Sequence, residues 1–139
     1  MGKATSTVTV KWIDGNMMTG MDSNHVPIVI GGFTGAVKWQ GVKPSDLLLL
    51  AAASCSTSDV ATILIKQREP LEKLEVICTG EQETEPPYQF VTLHLHYMIH
   101  GQINPEKLAR AIYLSEEKYC SVLATIRSSV TLSSDYEIV

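Results

Sequence analysis

Little in this sequence is extreme, and what is scarce narrows its reading. Lysine and arginine number 11 against 15 acidic residues, for a net charge of -4. No basic footprint for nucleic acid is present, and no lysine or arginine cluster points to an anionic membrane surface. Long hydrophobic runs are missing. The longest, Leu47 to Ala53, is far too short to span a bilayer. Met1 to Val10 is polar and β-branched and lacks the apolar core of a secretion signal. There are only three cysteines, an odd count. A disulfide framework is not expected, which leaves reactive, metal-binding or buried thiols. No internal repeat or low-complexity linker is found, so one cytoplasmic domain covering residues 1–139 is expected, with no membrane or nucleic-acid partner.

What is present suits a packed core. Hydrophobic residues make up 45% and charged residues 19% of 139 residues, a globular balance in a chain long enough to bury an interior. Thr5 to Trp12 alternates and reads as a strand, with Ser6, Val8, Val10 and Trp12 on one face. Asp14-Gly15-Asn16 is a turn signal before Met17 to Met21, and Ile28 to Ile30 is a short β-branched run. Pro44 opens a stretch to Gln67 without glycine or proline. A helix there would run about 36 Å at roughly 1.5 Å per residue. Its first half, Leu47 to Ala53, is apolar all round and is expected to be buried.

Leu74 to Glu81 and Phe90 to His100 alternate as strands. Val91, Leu93, Leu95, Tyr97 and Ile99 share the apolar face of the second. Asn104-Pro105-Glu106 is a helix start. Leu108, Ile112, Tyr119, Val122 and Ile126 can line one side of one long or two shorter helices, and Val130 to Ile138 closes the chain as a strand. The expected class is α+β, an antiparallel sheet with helices on one side.

The cysteines differ in setting. On the long helix, Cys55 shares a face with Asp59, Thr62 and Lys66, where an apolar stripe becomes polar, so its thiol can be reached from outside. Inert burial is the competing explanation. Cys120 falls on the last helical segment. Were that helix continuous, Glu116, Ala124 and Arg127 would share its face. Cys78 alternates with Val76 and Leu74 on a core-facing strand and reads as filler.

The motif from Pro44 to Cys55, the glycine-bearing approach from Gly31 to Gly41, the stretch Thr92-Leu93-His94-Leu95-His96-Tyr97 with Gly101, and the segment Ala111 to Cys120 together resemble the OsmC/Ohr family. The resemblance covers essentially the whole chain. It implies an intertwined homodimer and a thiol peroxidase acting on organic hydroperoxides. Cys55 would become a sulfenic acid and Cys120 would condense with it to a disulfide. An external dithiol would reduce that bridge, and no cofactor is implied. Hydroperoxide-reducing members carry an arginine near the N-terminal strands and a glutamate directly after the helix proline. Here the first arginine is Arg68, and Ser45 and then Asp46 follow Pro44. A second reading therefore stands beside the first: a non-catalytic small-ligand-binding protein on the same fold.

Other residues allow weaker readings. His94, His96 and His100 share one strand face. A His-x-His pair can hold zinc with a third ligand from elsewhere, but no Asp or Glu on that strand joins it, and a solvated polar strand face is the favoured explanation, with no metal ligand expected. Gly31-Gly32 and Gly35 lack the ending of a phosphate loop. Trp12, Trp39 and Tyr88 could line a pocket or simply pack in the interior.

Overall fold

The computed structural model describes residues 2–32, 35, 38 and 40–139. The chain forms two compact units, Met1–Leu47 and Leu48–Val139.

The first unit is a three-stranded antiparallel meander: β1 Thr9–Asp14, β2 Met17–Met21 and β3 Pro27–Ile30. Gly15, at φ 57, makes the turn between β1 and β2, a backbone state that suits glycine. Asp22 closes the next turn, its carboxylate accepting from the amides of Asn24 and Val26 at 2.8 Å. Strand β1 begins later than alternation suggested, and its Val10 and Trp12 are exposed. Trp12 lines no interior; its indole Nε1 donates to the Gly15 carbonyl. Trp39 lies outside the described residues.

The second unit holds the core. Helix α1, Pro44–Lys66, starts in the first unit and runs on through the second. Ala52, Ser56, Val60 and Leu64 form its buried stripe. The prediction that its first half is buried fails in the single chain. Leu47, Leu48 and Leu49 are half-buried and Leu50 is 52% exposed. By length and composition α1 could cross a membrane, with a mean hydropathy of 1.7 over its most apolar window. That stretch is longer than the Leu47 to Ala53 run alone. A core helix has the same composition, and α1 is tied into the core by Ala52, Val60 and Leu64.

Strands β4 Lys73–Gln82, β5 Phe90–His100 and β6 Thr131–Ile138 form a second sheet in that order. Leu93, Leu95, Tyr97 and Ile99 of β5 are fully buried, as alternation predicts, while Val91, expected on the same face, is exposed near the start of the strand. Gly80 lets α1 come close: a Cβ there would meet Leu49 and Phe90 at 2.8 Å. Tyr88 sits in the β4–β5 turn at φ 58 and is exposed, so it lines no interior.

One feature departs from an all-antiparallel sheet. β6 runs parallel to β5, with His96 opposite Asp135. Parallel neighbours need a long crossover, and three helical pieces supply it: α2 Pro105–Leu114, a π-helical turn Ser115–Tyr119, and α3 Ser121–Ile126. Asn104 caps α2 as predicted, accepting from the amides of Glu106 and Lys107. The mixed α+β class with two sheets and a long helix stands.

Candidate functional site

The π turn decides where Cys120 goes. The Cys120 amide donates to the Ser115 carbonyl, five residues back, at 2.8 Å. The wider turn shifts every later side chain around the axis. The helix then breaks: Cys120 is extended, at φ -77 and ψ 108, and caps α3 by accepting from the Leu123 amide at 3.4 Å. Continuous periodicity had put Tyr119 on the buried side and Cys120 beside Glu116, Ala124 and Arg127. In the fold Tyr119 is 53% exposed, while Cys120 is 2% exposed and joins the core.

Opposite it, α1 presents Cys55, half-buried and three residues past the fully buried Ala52. The thiols of Cys55 and Cys120 and a carboxylate oxygen of Asp59 all lie within 4.8 Å of one another. All three cysteines are free. The two thiols are not equivalent. Burial pushes the Cys120 thiol up to about 11, and its hydrogen bond to Cys55 adds to the effect. Cys120 therefore keeps its proton through the neutral range. Cys78 is also raised by burial, packs against the core from β4, and has no thiol partner among the described residues.

Behind the thiols runs a chain of hydroxyls and carboxylates that sequence reading did not find. Ser115 Oγ donates to Asp59 Oδ2 at 2.9 Å. Ser56 Oγ is 2.9 Å from Ser115 Oγ and 2.6 Å from the Tyr97 hydroxyl. Tyr97 in turn donates to Glu116 Oε2 at 2.9 Å, and Ser134 donates to the other Glu116 oxygen. Ser56, Tyr97 and Ser115 are fully buried. Buried hydroxyls need partners, and here they satisfy one another. Burial also pushes the Tyr97 hydroxyl well above the usual phenol range. The only sequence signals were a polar Ser56 within the buried stripe of α1 and a tyrosine among the aliphatic residues of β5.

Asp59 also borders a groove of about 630 Å³ lined by Thr62, Ile63, Lys66, Leu114 and Tyr119. That volume is in the range of small-ligand sites. Asp46 is half-buried in the first turn of α1. Arg127 donates to Glu117 at 3.0 Å, while its Nε and Nη2 are buried without a partner among the described residues.

The family model described as OsmC-like protein matches residues 35–135. The chain belongs to the OsmC-like family. It is 34% identical over 131 residues to protein YhfA of Escherichia coli, covering 94% of this chain and 96% of that one. It shares 26% identity and a TM-score of 0.84 with a hypothetical protein from Aquifex aeolicus, over 99% of both chains. The organic hydroperoxide resistance protein OhrB of Bacillus subtilis shares its fold. It is 16% identical with a TM-score of 0.64, over 96% of this chain and 98% of that one. Within the OsmC-like fold, Cys55 and Cys120 are the two cysteines that tertiary structure brings together, and Cys78 stays apart.

Proposed function

We propose that this OsmC-like protein reduces organic hydroperoxides through Cys55 and Cys120. One observation carries the proposal: a half-buried thiol and a buried, proton-holding thiol lie within 4.8 Å on different elements of one core. The Cys55 thiolate attacks the distal peroxide oxygen, the O–O bond breaks, and the alkoxide leaves as the alcohol after taking a proton. Cys55 becomes a sulfenic acid. Cys120 attacks its sulfur, water leaves, and a Cys55–Cys120 disulfide forms. A dithiol reductant returns both thiols by exchange and becomes a disulfide itself. The apolar side of the groove, Ile63, Leu114 and the Tyr119 ring, suits an alkyl or aryl hydroperoxide. The name of the Bacillus relative points to the same substrate class.

The thiol chemistry requires a reducing compartment, in keeping with a cytoplasmic protein. The half-exposed leucines of α1 suit a homodimer in which a partner covers them.

A second reading has one observation in its favour: the group beside the thiols is the carboxylate of Asp59. A carboxylate disfavours a neighbouring thiolate, and such a site fits a non-catalytic protein that holds a small ligand in the groove.

Intact-mass analysis after one equivalent of cumene hydroperoxide separates the two. Loss of two hydrogens, mapped to Cys55 and Cys120, together with dithiol-dependent peroxide consumption that vanishes in Cys55→Ser, supports the enzyme. Consumption no faster than a thiol blank refutes it.

A further inference from the structure

The outer face of the β4–β5–β6 sheet carries a second constellation, distant in chemistry from the thiols. His94 and His96 stand two apart on β5 and so point to the same side. The parallel register sets Ser133 opposite His94 and Asp135 opposite His96, with Glu137 two residues further along β6. His94 Nε2 lies 2.9 Å and His96 Nδ1 2.7 Å from the same oxygen, Asp135 Oδ1. The remaining nitrogens are held as well. His94 Nδ1 is 2.7 Å from Ser133 Oγ, and His96 Nε2 is 3.2 Å from Glu137 Oε1.

Each ring thus turns one nitrogen to a shared carboxylate and has the other fixed by an outer partner. That is the layout by which metal-binding histidines are oriented. Two imidazoles and a carboxylate form a donor set suited to zinc or copper. Ligand atoms about 2.0–2.2 Å from a tetrahedral ion stand roughly 3.3 Å apart. The observed nitrogen-to-oxygen spacings are about half an ångström shorter, and one ion takes both rings when each nitrogen turns off the shared oxygen toward a common point. The Asp135 side chain is 60% exposed and the His94 side chain 42%, so an ion has a direct path in. On β4 the same outer face carries Glu75, Ile77 and Thr79, paired with Met98, His96 and His94.

We propose that His94, His96 and Asp135 bind a divalent transition-metal ion, Zn²⁺ or Cu²⁺, with Ser133 and Glu137 orienting the two rings. The site is independent of the thiol reading. The ion displaces protons from the imidazoles, so binding weakens as pH falls.

The test titrates the full chain with zinc sulfate, read by chelator competition and by histidine side-chain NMR. One ion per chain is expected, with the His94 and His96 resonances shifting and those of His25 unmoved. His94→Ala and His96→Ala should each weaken binding by tenfold or more, Glu137→Gln by about tenfold, and Cys55→Ser not at all. All these positions are solvent-facing or half-buried, and circular dichroism checks that the variants fold. The proposal is overturned if zinc fails to bind at millimolar concentration. It is equally overturned if affinity survives in the His94→Ala, His96→Ala double variant. Loss of binding in Cys55→Ser with the histidine resonances unmoved would place the ion at Cys55, Asp59 and Cys120 and also refute it.

Discussion

The two faces of strand β5 carry polar side chains in opposite circumstances. Inward, the Tyr97 hydroxyl joins Ser56, Ser115 and Glu116 in a chain largely shut off from water. Outward, His94 and His96 join Asp135 and Glu137 on an exposed surface. Hydrogen-bond lengths are similar on the two sides, yet their consequences differ. A buried hydroxyl that loses its partner has no water to replace it, whereas an exposed pair is screened and its loss is readily compensated. The inner network can hold the thiol-bearing elements in place, and the outer ladder is free to exchange protons and ions.

Four measurements test this contrast, and the largest effect is expected from the core itself. Leu95→Ala should lower unfolding free energy by about 2–5 kcal/mol, read by urea denaturation, because Leu95 is fully buried. Tyr97→Phe should cost about 1–3 kcal/mol by taking one of the two hydrogen-bond partners from each of Ser56 and Glu116. If its midpoint matched wild type, the inner chain would contribute no more than the outer one.

A third effect is expected at alkaline pH. The folded Cys120 thiol sits near 11 against a reference of 9.0. Between those values the unfolded chain has lost a proton that the folded chain keeps. Stability should therefore fall as pH rises from 9 to 11. Thermal melts should show a steeper loss for wild type than for Cys120→Ala over that window, and parallel curves would contradict the assignment.

The smallest effect belongs to the outer face. His96 is raised above 6.5 by hydrogen bonds to Asp135 and Glu137, and Asp135 is lowered by His96 and His94. A raised histidine contributes stability that is complete below 6.5 and lost as pH climbs through its folded value. Titration followed by NMR should show His96 moving to a lower value in Asp135→Asn, with a melting midpoint close to wild type.

The thiols show how unevenly the site was legible in sequence. Cys55 could be placed because it lies inside an unbroken helix, where face and position follow from 3.6-residue periodicity. Cys78 could be set aside by the same logic with a period of two. Cys120 could not be oriented, because the π turn at Ser115–Tyr119 adds a residue to one turn and nothing in local composition announced it. Extrapolating a regular helix through Tyr119 sent that residue inward and misassigned the neighbours of Cys120. The histidines failed for a different reason. The acids that meet them lie about 40 residues away on β6, and only the parallel pairing of β5 with β6 brings them into register.

The α+β class, the long central helix, the strand and helix order, most of the inward face of β5, the cap at Asn104 and the family resemblance could all be read from the linear chain. All of these rest on short-range periodicity, turn chemistry or motif. The tertiary structure alone decided that Cys120 turns into the core against Cys55, that Asp59, Ser115, Ser56, Tyr97 and Glu116 form one chain, and that Asp135 meets two histidines. Each of these joins residues far apart in the chain. Their approach depends on the parallel crossover and the wide π turn, and neither has a period that a one-dimensional pattern can carry.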